Sequence, residues 1–409
     1  MRRVVVTGVG VKSPVGLTKD SYWDSLVAGR HGFKEIDRFD TSDIPVKLAG
    51  SIEDFVPTDY FDKKELRKTD RFCQFAVASA LDALSDCGSD LKDIDPYRVG
   101  VIVSSGIGGF ESTVNVHADF LQKGPERVSP FFVPMMISNM GAGIIAIKTG
   151  FKGINHCPVT ACASSAHSIG EAFRNIKHGY IDACIAGGAE ATILKFTLAA
   201  FNNMTALSRS ADPDRASIPF DAERNGFVMG EGSGMLVLEE YELAKKRGAK
   251  IYAEITGYGA TCDAFHFVQP RDDGEGAAKS MQFAIDEAGL SPQDITYINA
   301  HGTSTKANDA AETRAVKTVF GQYADKVAIS STKSMTGHLL GAAGAIESIA
   351  CVLAIKDGIM PPTIGYKVSD PDCDLDYITQ GTRKQDVTAA LTNSLGFGGH
   401  NATLCYKKI

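Results

Sequence analysis

The sequence predicts a layered α/β fold. Short apolar runs rich in β-branched residues alternate along the whole chain with longer segments of helix-forming residues, which is the pattern of strands and helices that pack in layers. The chain has 409 residues, of which 44% are hydrophobic and 22% charged. It can therefore bury a large core, and two domains or half-domains are expected.

The predicted strands and helices follow from this alternation. The apolar, β-branched runs predict strands at residues 4–9, 99–104, 183–187, 235–238, 295–300 and 327–331, and near the C-terminus at 389–391 and 402–406. Small or helix-favouring residues predict helices at 69–85, 163–177, 276–288, 310–320 and 342–356, and the charged segment 239–250 predicts another.

The chain divides best after this charged helix, into halves 1–250 and 251–409. A strand is predicted to start near Ile251, and no low-complexity linker or charge block suggests another boundary. The strand at 99–104 precedes the region of Cys162 in the same way that the strand at 295–300 precedes the region of His338. This parallel predicts a fold built from two similar halves.

Composition excludes several classes of function. A net charge of −7 argues against general nucleic-acid binding. No apolar run reaches the ~18 residues of a membrane-spanning helix, so no membrane insertion is expected. The nine scattered cysteines are typical of reduced thiols in a cytoplasmic protein. No clusters of Cys or His have the spacing of zinc ligands, so no metal site is predicted.

Cys162 is the candidate nucleophile. It lies in the segment Thr-Ala-Cys-Ala-Ser-Ser, at the start of the helix predicted over 163–177. Unpaired backbone N–H groups and the positive end of the helix dipole favour the thiolate at this position. The alternative is a buried structural cysteine, which is the more common situation for a single cysteine.

Two histidines and a glycine-rich turn are further candidates. His301 follows the strand at 295–300, and His338 precedes a glycine- and alanine-rich segment. Either histidine alone could be structural. The Gly-Phe-Gly-Gly segment around Phe397 is either a tight turn between two strands or a gate whose backbone N–H joins an oxyanion hole.

Four motifs together resemble the elongating β-ketoacyl-acyl-carrier-protein synthases, most closely the synthase II type. They are Thr-Ala-Cys-Ala-Ser-Ser at Cys162, Asn-Ala-His-Gly-Thr-Ser-Thr at His301, Lys-Ser-Met-Thr-Gly-His-Leu-Leu-Gly-Ala-Ala-Gly at His338, and Gly-Phe-Gly-Gly at Phe397. The resemblance runs from Val4 to the C-terminus. It implies a thiolase-like αβαβα fold of two similar halves.

The resemblance implies decarboxylative Claisen condensation of a Cys162-bound, long-chain acyl group with malonyl carrier protein in fatty-acid elongation. In the family, His301 and His338 stabilise the enolate, and the backbone N–H groups of Cys162 and Phe397 hold the oxyanion. Lys333 and Glu347 support the histidines. Two alternatives stay open: a ketosynthase of a polyketide or specialised lipid pathway, and a catalytically silent partner subunit.

The resemblance also implies residues that bind substrate. Thr303 and Thr305 match positions that hydrogen-bond the pantetheine amides, although ordinary turn hydroxyls are the alternative. Ile107, Phe110 and Phe201 match positions of the acyl pocket or its gate, and each could instead be plain core. Asp263 matches a residue of the gating loop. Lys306 and Asn308 depart from the usual proline and glycine after the His301 motif.

Partners and cofactors follow from the same resemblance. The acidic acyl carrier protein is expected to dock on the basic segment formed by Lys63, Lys64, Arg67 and Lys68, whose alternative is a solvated helix end. The family is homodimeric. No cofactor is expected, but some relatives hold a structural monovalent cation at the positions that match Asn299, Glu347, Asn393 and Ser394.

Overall fold

The computed structural model describes all 409 residues. Fourteen strands are present: β1 (Val4–Lys12), β2 (Lys34–Glu35), β3 (Leu48–Ala49), β4 (Val99–Ser104), β5 (Asn155–His156), β6 (Ala183–Glu190), β7 (Gly232–Glu240), β8 (Ala253–Cys262), β9 (Tyr297–Asn299), β10 (Ala328–Ser330), β11 (Ile359–Met360), β12 (Arg383–Lys384), β13 (Ala389–Gly396) and β14 (His400–Lys407).

The helices lie between these strands. They are α1 (Lys19–Val27), α2 (Lys63–Leu66), α3 (Arg71–Asp86), α4 (Phe110–Lys123), α5 (Phe132–Met136), α6 (Met140–Thr149), α7 (Ser164–Lys177), α8 (Lys195–Asn203), α9 (Tyr241–Lys246), α10 (Glu275–Ala288), α11 (Lys306–Phe320), α12 (Lys333–Thr336) and α13 (Ala343–Asp357). None of these helices combines the length and apolarity needed to cross a bilayer.

Ten strands form one sheet, in the order β10-β9-β13-β14-β8-β1-β7-β6-β4-β5. The five strands from β1 to β7 in this sheet and the five from β8 to β14 have the same topology. In each half the three strands at the outer edge pair in parallel, and the other two pair antiparallel toward the centre. The halves meet where β1 pairs with β8. The prediction of two similar halves is confirmed.

Side chains alternate between the two faces of the sheet and so define layers. On the first half, Ile102 and Leu236 face a core built on α7 and α13, whereas Val101 and Val237 face a second core built on α3. On the second half, a third core packs against α10 and α11. Helices α7 and α13 pack on each other and contact both halves of the sheet. The layers are therefore helix, sheet, helix, sheet, helix.

The predicted strands and helices are present, with altered bounds. The charged helix predicted at 239–250 is wrong at its start, because Glu239 and Glu240 complete β7 and the Glu240 carboxylate caps α9 by accepting from Leu243 N at 2.9 Å. The strand predicted at 295–300 shortens to β9. Helices α1, α4, α6 and α8 were not predicted. Whether 1–250 and 251–409 are separate units stays a prediction.

Candidate active site

One cavity gathers three of the predicted catalytic side chains. It has a volume of about 230 Å³ and opens between the segments around 201–206, 263–270 and 303–308. Cys162, His301 and His338 all line it. The other lining residues are Phe201, Met204, Thr205, Ala206, Phe227, Asp263, Val268, Gln269, Pro270, Thr303, Thr305, Ala307, Asn308, Leu395, Gly396, Phe397 and Asn401.

Cys162 lies in a one-turn 3-10 helix that leads into α7. Ala161, just before it, has a φ of +50°, a left-handed conformation that is uncommon for a residue with a side chain. Ser164 stabilises this turn, since its hydroxyl donates to Ala161 O at 2.6 Å and accepts from Thr160 N at 2.8 Å. The strained turn presents the thiol to the cavity.

Burial raises the pKa of Cys162 to about 12. The positive charge of Lys333 and the backbone N–H groups of Phe397 and Cys162 act in the opposite direction, while the negative charge of Glu190 adds to the rise. The backbone N–H groups thus favour the thiolate as the sequence predicts, but burial outweighs them in the free protein. Burial raises the free energy of the thiolate by more than the helix terminus and its N–H groups lower it.

The turn between β13 and β14 lies against the nucleophile. Gly396 packs so closely that an added Cβ would lie 2.7 Å from Thr160 O and 3.2 Å from Cys162 N. The backbone N–H of Phe397 lowers the pKa of the Cys162 thiol and so partly offsets the effect of burial. The Phe397 ring stacks on Phe201, with 6.2 Å between ring centroids. Both predicted roles of this segment, tight turn and N–H donor, are compatible with this geometry.

His301 is held on three sides. Its backbone N–H donates to Glu312 at 2.8 Å, and Lys333 Nζ contacts both its carbonyl oxygen, at 2.6 Å, and its ring Nδ1, at 3.3 Å. Because the ammonium of Lys333 only donates, Nδ1 is the accepting nitrogen and the ring proton resides on Nε2. Nε2 is the nitrogen left to face the cavity.

His338 is held by its backbone. Its N–H donates to Val228 O at 2.8 Å, and its carbonyl accepts from Gly230 N at 2.9 Å. Its ring meets that of Phe227 edge to face, with centroids 5.0 Å apart, and lies 5.2 Å from the ring of His301. Nδ1 is buried without a hydrogen-bond partner. Nε2 is therefore the ring nitrogen through which His338 can act on a bound molecule.

Both imidazoles are neutral. Burial lowers the pKa of His301 well below its ordinary value, and the charge of Lys333 and the neighbouring His338 lower it further. Burial and Lys333 act on the pKa of His338 in the same direction. Two neutral imidazoles that line one cavity, with ring centroids 5.2 Å apart, suit an oxygen that gains negative charge during a reaction.

Lys333 and Glu347 form a buried ion pair behind the histidines. Each side chain is only 1% exposed, and Lys333 Nζ donates to Glu347 Oε1. Burial raises the pKa of Glu347 above its ordinary value, although Lys333 opposes the shift. Because neither side chain lines the cavity, the pair acts on His301 by contact and charge and touches no substrate.

Comparison with known proteins agrees with this geometry. Residues 1–244 match the model of the β-ketoacyl synthase N-terminal domain, and residues 252–367 match that of the C-terminal domain. The chain belongs to the β-ketoacyl synthase family. It is thus an acyltransferase and a condensing enzyme with the thiolase-like fold.

The synthase is 50% identical over 408 residues to the 3-oxoacyl-[acyl-carrier-protein] synthase 2 of Synechocystis sp., an alignment that covers 100% of this chain and 98% of that protein. A β-ketoacyl synthase from Burkholderia phymatum superposes with a TM-score of 0.93 at 35% identity, covering 100% of both chains. The ketosynthase of a type II PKS, in the AntDE:AntF complex with its acyl-carrier protein, superposes at 0.91 and 33% identity over 100% of each chain.

The predicted substrate residues of the synthase fall into two groups. Thr303, Thr305, Phe201 and Asp263 line the cavity. Ile107 packs in the same apolar cluster as Cys162 but does not line the cavity. Phe110 is not at the cavity, because it starts α4 and its ring packs on Phe196, 5.8 Å away. The Asp263 carboxylate accepts from Asn401 Nδ2 at 2.7 Å, which links the 263–270 loop to β14.

The predicted docking residues form an exposed basic patch. None of the four side chains makes an ion pair or lines the cavity, and Lys68 lies over the ring of Phe131 at 4.6 Å. The nearby Asp62 and Glu65 carboxylates are engaged in capping α2. Neither carboxylate forms an ion pair with the three lysines and one arginine of the basic patch, which are Lys63, Lys64, Arg67 and Lys68, and Glu65 pairs with Lys148 instead.

Three buried oxygens lack partners where the resemblance implies a cation. They are Asn299 Oδ1, Glu347 Oε2 and Ser394 Oγ. They lie on neighbouring elements, because β9 pairs with β13. Ser394 Oγ would lie 2.7 Å from a Cβ on Gly344, which is one turn before Glu347 on α13. The Asn393 side chain is engaged elsewhere, with Glu312 and Thr403. Oxygen ligands without other partners fit a hard cation.

Sequence reasoning missed several residues of the site. Glu312, which accepts from the N–H groups of His301 and Gly302, lies on α11 and gave no motif signal. A carboxylate that directly follows two alanines, Ala310 and Ala311, on a predicted helix was the available hint. Glu190 and the cavity residues Met204, Val268 and Asn308 were also missed. Asn308 lines the cavity although it departs from the family pattern.

Proposed function

We propose that this synthase condenses a Cys162-bound acyl chain with a malonyl thioester on acyl carrier protein, releasing CO₂ and a β-ketoacyl thioester. One observation carries the proposal. Cys162, His301, His338 and Phe397 line a single cavity, and the backbone N–H groups of Cys162 and Phe397 lower the pKa of the thiol. This supports a nucleophile, an oxyanion hole and an enolate site within one chamber.

In the first half-reaction, the Cys162 sulfur attacks the acyl thioester and the carrier thiol leaves. The proton of the cysteine ends on the departing phosphopantetheine sulfur, so atoms and charge balance. The tetrahedral oxyanion is held by the N–H groups of Cys162 and Phe397, each worth about 3 kcal/mol. Lys333 contributes a positive charge that favours the thiolate as it forms.

In the second half-reaction, the malonyl thioester loses CO₂ and its electron pair forms an enolate. The Nε2–H groups of His301 and His338 donate to the enolate oxygen. The enolate carbon then attacks the acyl carbonyl on Cys162, the C–S bond breaks, and the thiolate is regenerated. The pantetheine arm is placed in the cavity by Thr303 and Thr305, whose hydroxyls lie 2.9 Å apart at its lining.

We place the carrier protein on the basic patch. An acidic partner is favoured by four exposed cations without ion pairs, and the superposed AntDE:AntF complex is a ketosynthase with its acyl-carrier protein. Reversal of Lys64, Arg67 and Lys68 to glutamate is expected to raise KM for carrier protein. Acylation of Cys162 by acyl-CoA stays unchanged in the same variant. Carrier kinetics equal to those of wild type would contradict this docking site.

We assign the acyl group to the long-chain range of fatty-acid elongation. Identity of 50% to a synthase 2, against 33% to the ketosynthase of the AntDE:AntF complex, supports fatty-acid over polyketide substrates. The nine free thiols support a cytoplasmic location. A panel of carrier-bound saturated, unsaturated and polyketide acyl groups separates the alternatives by the rate at which each acylates Cys162.

A monovalent cation fits the three unpartnered oxygens described above. Asn299, Glu347 and Ser394 would hold it beside the Lys333 pair, where it would stabilise the Glu347 carboxylate and so the position of His301. Thermal unfolding in KCl, NaCl and tetramethylammonium chloride at equal ionic strength tests this. A higher melting temperature with K⁺ or Na⁺ supports the site, and equal temperatures contradict it.

We also propose a homodimer joined at the β5 edge of the sheet. β5 has no neighbour on its outer side. Exposed apolar side chains lie near this edge on α5, α6 and the segment after β5, namely Val133, Ile147 and Val159. Light scattering of the wild type and of Ile147→Glu with Val159→Glu is the test. A dimer is expected for the former only.

The condensing function itself is tested by intact mass. Purified protein incubated with hexadecenoyl carrier protein should gain one acyl group, which is absent in Cys162→Ala. Addition of malonyl carrier protein should remove the adduct and produce β-ketoacyl carrier protein. A folded protein that takes up no acyl group of any length would instead support the silent-partner alternative.

A further inference from the structure

Glu190 is a buried carboxylate that the proposed mechanism does not use. It ends β6 and is completely buried. Its oxygens accept four hydrogen bonds, from Ser105 Oγ at 2.8 Å and from the backbone N–H groups of Gly106 at 2.8 Å, Ile107 at 3.3 Å and Gly341 at 3.0 Å. No cation pairs with it. One side-chain hydroxyl and three backbone N–H groups compensate its burial.

The four donors come from two segments distant in sequence. Residues 105–107 follow β4, and Gly341 follows His338 by three residues. The two segments touch where both have glycine: a Cβ on Gly341 would lie 2.2 Å from Gly106 N, and a Cβ on Gly106 would lie 2.9 Å from Glu190 Oε2. No side chain fits between them, so the carboxylate binds the two backbones directly together.

These two segments form the apolar surroundings of the nucleophile. Ile107 and Leu340 belong to the cluster that contains Cys162. Leu340 has a φ of +48°, an uncommon conformation for leucine that needs support from its surroundings. The hydrogen bond from Gly341 to Glu190 supplies that support. Glu190 thus anchors the backbone at both apolar residues that pack around the Cys162 side chain.

The histidines are anchored independently of Glu190. The backbone of His338 is fixed by Val228 and Gly230, and His301 is fixed by Glu312 and Lys333. Loss of the Glu190 hydrogen bonds therefore loosens the apolar surroundings of Cys162 first. Donation to the enolate by His301 and His338 should be affected less.

We propose that Glu190 is a positioning residue that fixes the apolar packing of Ile107 and Leu340 around Cys162 and thereby governs transfer of long acyl groups to its sulfur. This rests on the condensing function proposed above. Glu190 touches no substrate itself. A purely structural carboxylate would support folding but would leave the preference among chain lengths unchanged.

The test compares acylation and decarboxylation in Glu190→Gln and Ser105→Ala. The glutamine keeps the shape but turns an NH₂ group toward backbone N–H donors, so two hydrogen bonds are lost. We expect acylation by hexadecenoyl carrier protein to fall about 10- to 100-fold in Glu190→Gln, with a smaller fall for octanoyl carrier protein. Decarboxylation of malonyl carrier protein alone should change less. Ser105→Ala, which loses one donor, should show a weaker effect of the same kind.

Glu239→Gln is the matched control. Glu239 is equally buried at the end of the neighbouring β7, and it binds Arg247 and Thr7 away from the cavity. The Glu239→Gln variant should lose stability without a change in its preference among acyl chain lengths. The proposal is overturned if folded Glu190→Gln or Ser105→Ala loses acylation rate equally for all chain lengths, or loses none. Failure of the wild type to acylate Cys162 would instead refute the condensing function.

Discussion

Replacement of Lys333 by methionine gives a sharp test of the ion pair behind the histidines. The ammonium donates to Glu347 and contacts the carbonyl and ring of His301. Methionine keeps much of the side-chain length but removes all three contacts. The Glu347 carboxylate is then buried without its cation, and His301 loses the donor that selects its Nε2–H tautomer.

The magnitudes follow from these contacts. Loss of one partner of a buried ion pair costs about 3–5 kcal/mol of folding free energy. Loss of a correctly placed donor to a developing oxyanion lowers the rate by about 10²- to 10³-fold. We therefore expect Lys333→Met to be less stable, and to decarboxylate malonyl carrier protein slower by that factor. The pKa of His301 should also rise, because the positive charge of Lys333 lowers it.

One assay measures the rate at which acetyl carrier protein forms from malonyl carrier protein. Urea unfolding of the same samples measures their stability. Lys12→Met is the control, because Lys12 is also a buried lysine, 2% exposed, bound to Asp82, Tyr60 and Leu17 O outside the cavity. It should lose stability but keep the decarboxylation rate. A folded Lys333→Met with the wild-type rate, or an equal loss of rate in Lys12→Met, would refute the reasoning.

Three further predictions follow from the pKa shifts and the packing. The thiol pKa of Cys162 is about 12, so the rate of its alkylation by iodoacetamide should rise about tenfold per pH unit between about pH 7 and 10. Peptide mass spectrometry measures this rate, and a plateau near neutral pH would contradict the expectation. The folded pKa of His338 is depressed, so its contribution to stability is present above about pH 6.5 and is lost as pH falls. Below that pH, the free energy of unfolding of wild type, measured in urea, should fall by about 1.4 kcal/mol per pH unit more than that of His338→Asn. Equal slopes for the two proteins would refute this. Gly396→Ala would place a Cβ 2.7 Å from Thr160 O and should slow acylation of Cys162 about 100-fold. Gly143→Ala, whose Cβ would meet only Met140 Sδ at 3.7 Å, should acylate normally.

The short-range features of the chain were readable from the residues. Strands such as β4 and β6 and helices such as α7 and α13 were predicted because apolar periodicity is a local property. The weaker predictions concern segments whose state depends on neighbours. The polar Glu239 and Glu240 look helical in sequence, yet they complete β7 because its pairing with β1 and β6 extends to them.

Contacts between distant segments could not be predicted from the residues. Glu190 and Glu312 carry no motif, and their partners lie up to 151 and 81 residues away. The position of Phe110, away from the cavity and against Phe196, depends on how α4 packs on its surroundings. The pKa of Cys162 likewise depends on its burial, 7% exposed in the fold, which outweighs the local helix terminus.

The sequence by itself determined the chemical groups and their order: a cysteine at a helix start, two histidines after strands, and a glycine-rich turn. These depend on residue type and local spacing, which a linear pattern records. Only the tertiary structure decided which ring nitrogen faces the cavity, that both imidazoles are neutral, and that Lys333 lies behind His301. Those properties depend on desolvation and on charges brought together by folding, and no local pattern contains them.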